Sequence, residues 1–146
     1  MSPIVSTRLD YLRHGEPVGG SRFRGNGVDD PLSERGWQQM RASTAAIDGW
    51  QRVVSSPMRR CIEFARRLAT DRGLPLEVQP DLREVGFGAW EGAEREQLRE
   101  HRAAEYDAFY RDPVHNRPAG AEPLALVGAR VAAVFDHLVK TYPGEH

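Results

Sequence analysis

Four residues of this chain have side chains and settings suited to phosphoryl chemistry. They are His14 in the run Leu12-Arg13-His14-Gly15-Glu16, Arg13 beside it, Arg60, and Glu84. A neutral imidazole is a competent nucleophile, and a covalent intermediate divides one hard displacement into two easier ones. Arginines around it disfavour imidazolium and help keep a lone pair free. Each guanidinium offers a fork of donors that matches phosphate oxygens. Gly15 has no Cβ, so the backbone can approach closely there. The leaving oxygen of a phosphate ester needs a proton, which a carboxyl group with a raised pKa in a partly apolar pocket can supply. Glu84, with Val85, Phe87 and Trp90 close by in sequence, is the acid candidate.

Taken singly, each of these residues has an ordinary explanation. Arg13 and Arg60 read as surface charges, His14 as a solvated loop residue after a strand, and Glu84 as a solvated carboxylate. Cys61 reads as core, and Trp37 and Trp90 as packing. His101, His115 and His137 lie in charged or loop contexts. Arg22, Arg24 and the glycines near them could simply form a mobile loop. Spacing alone does not separate the two accounts.

The elements that would carry these residues can be read from pattern and punctuation. Ser6 to Leu12 reads as a first strand ending at Arg13-His14, and the loop from Pro17 to Asp30 is long for a small domain. Ser33 is an N-cap for a helix from about Glu34 to Ile47. Arg52 to Ser55 reads as a short second strand, and Pro57 suits the first position of a helix that Gly73 ends. Leu76 to Val78 reads as a third strand, and Asp81 to Gly92 as irregular. Helices are expected near Arg95 to Tyr110 and Pro123 to Thr141. Strands alternating with helices predict an α/β domain with a largely parallel sheet. Ligands of such sheets sit beyond the carboxyl ends of strands, where helix N-termini attract anions. Arg13, Arg60 and one helix terminus could therefore surround a single phosphate.

Composition sets bounds. The 146 residues fit one domain, and a net charge of −1 provides no field that argues for nucleic acid or membrane binding. Lys140 is the one lysine among 20 cationic side chains, a bias that serves anion recognition only where arginines converge. One cysteine, Cys61, excludes an internal disulfide and a cysteine-based metal cluster, and fits a reducing compartment. With no signal-peptide pattern and no apolar run near the ~20 residues that span a bilayer, the expected location is the cytoplasm.

Four blocks in order carry a resemblance to a known family. They are Leu12 to Glu16, Asp30-Pro31-Leu32-Ser33-Glu34-Arg35-Gly36, Ser55-Ser56-Pro57-Met58-Arg59-Arg60-Cys61, and Leu82 to Gly92. A weaker match is Pro118 to Glu122, with Arg130-Val131 after it. Together they resemble the histidine phosphatase superfamily, which includes cofactor-dependent phosphoglycerate mutases. Arg13 to Gly25 and Phe87 to Gly92 look like alpha-ribazole phosphatase and its relatives. The resemblance implies a three-layer α/β/α, phosphoglycerate mutase-like fold, a small phosphate ester as substrate, no cofactor and no required metal. Residue by residue, His14 matches the phosphorylated histidine, Arg13 and Arg60 the phosphate-binding arginines, and Glu84 the proton donor. Arg24 matches the substrate loop.

The family also carries a second histidine on a later strand, expected just beyond Glu145-His146; neither His137 nor His146 matches it. Pro123 stands where family members often have serine. The chain accordingly reads as one domain, 1–146, lacking that C-terminal strand and the elements after it. An uncovered sheet edge invites association, which a homodimer could partly meet. The expected activity is phosphomonoester hydrolysis through a phosphohistidine, on alpha-ribazole 5'-phosphate or a similar ester. The alternatives are a mutase-type phosphotransferase and a catalytically impaired binder of phosphate ligands.

Overall fold

Ser33 starts the first helix. Its Oγ accepts the Gly36 N–H at 3.0 Å, and helix α1 runs over Glu34–Thr44 with Glu34 in its first turn and Arg41 in its last. The acid and the base complement the helix dipole. The sequence pattern extends this helix to Ile47, but it ends at Thr44. The reason is Arg72 of a later helix, which donates to the Thr44 and Ile47 carbonyls at 2.7 and 2.5 Å and so satisfies oxygens at the end of the turn. The computed structural model describes residues 4–146.

Strand β1, Val53–Ser55, and strand β2, Leu76–Val78, pair in parallel with Val53 opposite Leu76 and Ser55 opposite Val78. Helix α2, Arg59–Arg72, makes the crossover, and Gly73 closes it with φ 63°. Leu32 and Met40 pack with Phe64 of α2, with Trp37 and Leu68 at the margin. This joins α1 to α2, whose first turn carries Arg60.

The expected first strand is a difference. Ser6 to Leu12 belongs to neither paired strand; the two-stranded sheet consists of β1 and β2. Along this stretch the Arg8 N–H donates to the Glu145 carbonyl at 3.0 Å, while the Gln51 N–H donates to the His146 carbonyl. Residues 145–146 thus lie between residue 8 and residue 51. A strand needs a neighbour to take its N–H and C=O groups, and alternation in the sequence does not supply one. Tyr11 and Leu12 remain exposed.

A second core gathers Phe23, Trp90 and Leu98, flanked by Phe87, Tyr106 and Phe109. The helix expected over 95–110 is two helices, α3 at Arg95–His101 and α4 at Ala103–Arg111, broken at Arg102 with φ −134°. No glycine or proline marks the break. Tertiary contacts set it: Trp90 is fully buried and donates its indole N–H to Glu105 on α4 at 2.9 Å, while Leu98 on α3 packs in the same cluster. Helix α5, Leu124–Thr141, buries Val134 and Leu138, and its Phe135 meets Tyr11 edge-on at 5.7 Å. Among the described residues no helix is long and apolar enough to cross a membrane.

Candidate active site

His14 comes at the end of the extended N-terminal stretch and is held by a close backbone approach. A Cβ on Gly15 would lie 2.3 Å from the Gly36 carbonyl oxygen, and a Cβ on Gly36 would lie 2.2 Å from the Glu16 carbonyl oxygen. Only two glycines allow this contact. Ser33 reinforces it, since its N–H and its hydroxyl both donate to the Glu16 carbonyl at 2.9 Å. The Glu16 N–H donates to Gln39 Oε1 at 2.9 Å. The His14 turn is therefore fixed to the start of α1.

The imidazole itself is half-buried. Its Nδ1 lies 2.8 Å from the Gly15 carbonyl oxygen. A carbonyl only accepts, so Nδ1 carries the proton and Nε2 keeps its lone pair. Burial pushes the His14 pKa below the ordinary histidine value; the Gly15 hydrogen bond opposes this, and the Arg60 and Arg13 charges add to it. The ring is a free base at neutral pH.

Arg60 lies in the first turn of α2 and is 2% exposed. It donates to the Gly25 and Val28 carbonyls at 3.0 and 3.3 Å. These bonds tie the loop at 25–28 to α2 and leave further guanidinium N–H groups. Arg13 is exposed at the mouth of the same cavity. The helix terminus expected to join them is partly occupied: Asp29 Oδ1 takes the Arg59 N–H at 2.7 Å, and Ser56 Oγ takes the Met58 N–H at 3.3 Å.

Arg13, His14, Arg24, Arg60 and Glu84 all line one cavity of about 370 Å³, a size that suits a small ligand. Arg24 is 8% exposed, and its guanidinium is committed to the loop. It pairs with Asp30 at 2.9 Å and donates to the Val18 and Gly20 carbonyls at 2.7 and 2.8 Å. It orders the segment from Val18 to Asp30 around the cavity.

Glu84 differs from the apolar setting its neighbours suggest. Phe87 and Trp90 belong to the second core, and Glu84 itself is exposed, its Oε1 accepting the Val85 N–H at 2.8 Å. A group on α5 fixes its backbone, which the sequence reading did not assign. Arg130 forms a bidentate pair with Glu122 at 2.9 and 3.0 Å. It also donates to the carbonyls of Asp81, Arg83 and Glu84. The signal lay in the weak match at Glu122 and Arg130, where an acid and a base are eight residues apart. Among the described residues His14 is the one imidazole in the cavity. His137 lies 3.0 Å from Glu77, and His146 lies 2.8 Å from Asp10.

The cavity thus holds one neutral imidazole, five guanidinium groups and the carboxyls of Glu16 and Glu84. Imidazole, guanidinium and carboxyl groups around one cavity are side chains able to carry phosphoryl chemistry. The chain matches the histidine phosphatase superfamily (branch 1) over residues 10–146 and belongs to that family. Among curated proteins it is 36% identical over 151 residues to a bifunctional protein of Mycobacterium tuberculosis, covering 94% of this chain and 39% of that one. It is 31% identical to the adenosylcobalamin/alpha-ribazole phosphatase of Escherichia coli, covering 85% of this chain and 63% of that one. A solved mycobacterial glucosyl-3-phosphoglycerate phosphatase superposes with a TM-score of 0.81 at 32% identity, covering 90% of this chain and 67% of that one. The alpha-ribazole phosphatase of Shigella flexneri superposes with a TM-score of 0.73 at 28% identity, covering 89% and 66%. The phosphoglycerate mutase-like α/β/α fold expected from the sequence is therefore present. The chain spans less than two thirds of the length of these curated relatives.

Proposed function

We propose that the protein hydrolyses small phosphate monoesters through a phosphohistidine at His14. The observation that carries this reading is the Nδ1 contact to the Gly15 carbonyl, 2.8 Å long, which leaves Nε2 as the free base in a cavity shared with Arg13 and Arg60. Nε2 attacks phosphorus as the ester P–O bond breaks. Arg13 and Arg60 bear the charge on the phosphoryl oxygens. Glu84 gives its proton to the leaving alkoxide. Water then attacks phosphorus, the N–P bond breaks back to the imidazole, and the Glu84 carboxylate receives the water proton. Glu84 is exposed and lines the same cavity as His14. Relatives named for alpha-ribazole and glucosyl-3-phosphoglycerate phosphatases make alpha-ribazole 5'-phosphate and a phosphorylated sugar acid the first natural esters to try.

The test is phosphate release from an aryl phosphate by the 146-residue chain, with His14→Ala as control and acid-labile phosphate on the protein as the trapped intermediate. Release and labelling that both vanish in the variant are expected. Release that persists in His14→Ala removes His14 from the mechanism. Saturable ligand binding without labelling turns the reading to a binder, and transfer of the label to a second hydroxyl rather than to water turns it to a mutase.

A further inference from the structure

Arg60 is the most deeply buried cation of the cavity, and two carbonyls aim it. Gly25 and Val28 accept from its guanidinium at 3.0 and 3.3 Å. Both belong to one turn, 25–28, so whatever fixes that turn fixes the direction of the guanidinium. A carboxylate holds the turn from its other side, and it is Glu91.

Glu91 reaches the turn from a rigid base. Trp90 before it is fully buried. The Glu91 N–H donates to the Gly88 carbonyl at 3.0 Å, and the Gly92 N–H donates to the Phe23 carbonyl at 2.7 Å. The short helical turn Gly88–Trp90 brings the side chain back on itself. Oε1 then accepts two backbone N–H groups, that of Phe87 at 3.1 Å and that of Asn26 at 3.3 Å. Gly25 and Gly27 leave the space that the carboxylate fills: a Cβ on Gly25 would lie 2.0 Å from Oε1, and one on Gly27 2.1 Å from Oε2. Asn26 in turn donates from Nδ2 to the Glu84 carbonyl at 3.3 Å.

Glu91 is half-buried. Among the described residues no cation stands at ion-pair distance from it, whereas Glu122 is matched by Arg130. Its charge is met by backbone N–H groups, and such charge-assisted bonds are about twice as strong as neutral ones. Nor does Glu91 line the cavity. A half-buried carboxylate with neither a cation nor a ligand to meet has another role, and its contacts describe a clamp.

We propose that Glu91 is a positioning residue: it clamps the 25–28 turn to the segment 84–87, and through the Gly25 and Val28 carbonyls it holds the Arg60 guanidinium on the transferring phosphoryl group. This rests on the phosphatase reading of the cavity. A guanidinium bears phosphoryl charge at full strength only when its fork is already aimed, because a donor that must reorient gives part of the interaction back. The same clamp keeps Arg60 and Glu84, which come from different parts of the chain, at one separation.

The experiment is a double-mutant cycle on the binding of inorganic phosphate, read by calorimetry with the 146-residue chain, so it does not require turnover. Glu91→Ala is expected to weaken phosphate binding about tenfold, the size of one charge-assisted hydrogen-bonded contact. Glu91→Gln keeps an acceptor oxygen at the same reach and should bind within about threefold of the parent. In the Arg60→Lys background a point charge replaces the fork, and there Glu91→Ala should change affinity by less than about twofold. A general loosening of the fold would weaken binding by the same factor in both backgrounds, so equal factors overturn the inference. It is overturned as well if Glu91→Ala binds phosphate like the parent, or if Glu91→Gln is as weak as Glu91→Ala. Far-ultraviolet dichroism checks folding. Glu91→Asp, which keeps the charge but falls one methylene short of the two N–H groups, takes the place of Glu91→Ala if the latter does not fold. A parent chain that binds no phosphate removes the phosphatase reading, and the clamp's role with it; phosphate binding with additive effects removes the clamp alone.

Discussion

The contact between Gly15-Glu16 and Gly36 makes Gly36→Ala the most informative single change. Ordinary van der Waals contact begins near 3.4 Å, and the new Cβ would sit 2.2 Å from the Glu16 carbonyl oxygen and 2.9 Å from its nitrogen. Both sides are backbone, so no side chain can swing away. Relief needs a separation of about 1 Å between the His14 turn and the start of α1, and overpacking of this kind costs ~1–3 kcal/mol. Opening the gap also stretches the two Ser33 bonds and the Gln39 bond to Glu16, each worth roughly 0.5–1.5 kcal/mol. Alanine returns part of this through helix propensity, up to ~1 kcal/mol. With the three bonds weakened rather than lost, the net expectation is a loss of about 2–3 kcal/mol, or a Tm lowered by roughly 5–10 °C for a chain of this size.

Gly128→Ala is the matched control. Gly128 lies inside α5, is exposed, and has nothing within 4 Å of a new Cβ. The same chemical change there should raise stability by ~0.5–1 kcal/mol. Thermal and urea unfolding of the two variants beside the parent chain is the assay. Opposite signs are expected. Gly36→Ala unfolding within a degree of the parent would refute the claim that backbone contact holds the His14 turn. Where phosphate release is measurable, a shift of about 1 Å at His14 should also cost on the order of 10²-fold in rate.

The same geometry sets two further outcomes. The folded pKa of His14 lies below its unfolded value, chiefly through burial. Below the unfolded value, near ~6.5, the unfolded chain takes up a proton first, so this residue's contribution to stability is complete above that pH and is lost as pH falls through the folded value. Urea midpoints between pH 7.5 and 5 should therefore fall less steeply for His14→Gln than for the parent, and identical slopes would contradict the burial of the ring. Arg130→Met removes the partner of Glu122 in a pair whose side chains are 9% and 17% exposed, and it frees the carbonyls at 81, 83 and 84. Breaking a largely buried pair costs ~3–5 kcal/mol, discounted here to about 2–4 because Glu122 keeps the Gly86 N–H at 3.2 Å. Hydrogen exchange should show the 81–86 backbone opening in this variant; unchanged protection there would show that the guanidinium does not hold Glu84 in place.

The range of each interaction decided whether it was legible in the sequence. His14, Arg13, Arg60 and Glu84 stood out because the chemistry demands particular residue types in short contiguous runs, and the structure gathers all four at one cavity. The Ser33 cap and the end of α2 at Gly73 were legible because the groups that form them are neighbours in the chain. The rest depended on partners distant in sequence. The stretch from Ser6 to Leu12 has a strand's alternation, but a ladder needs a second backbone, and the contacts there come from residues 145–146. The break at Arg102 has no local cause, because it is imposed by Trp90 and its bond to Glu105. Arg24 belonged by motif to a substrate loop, yet its guanidinium orders that loop through Asp30 and two carbonyls. Glu84 was expected among its aromatic neighbours, but Phe87 and Trp90 turn into the core and leave the carboxyl in the open.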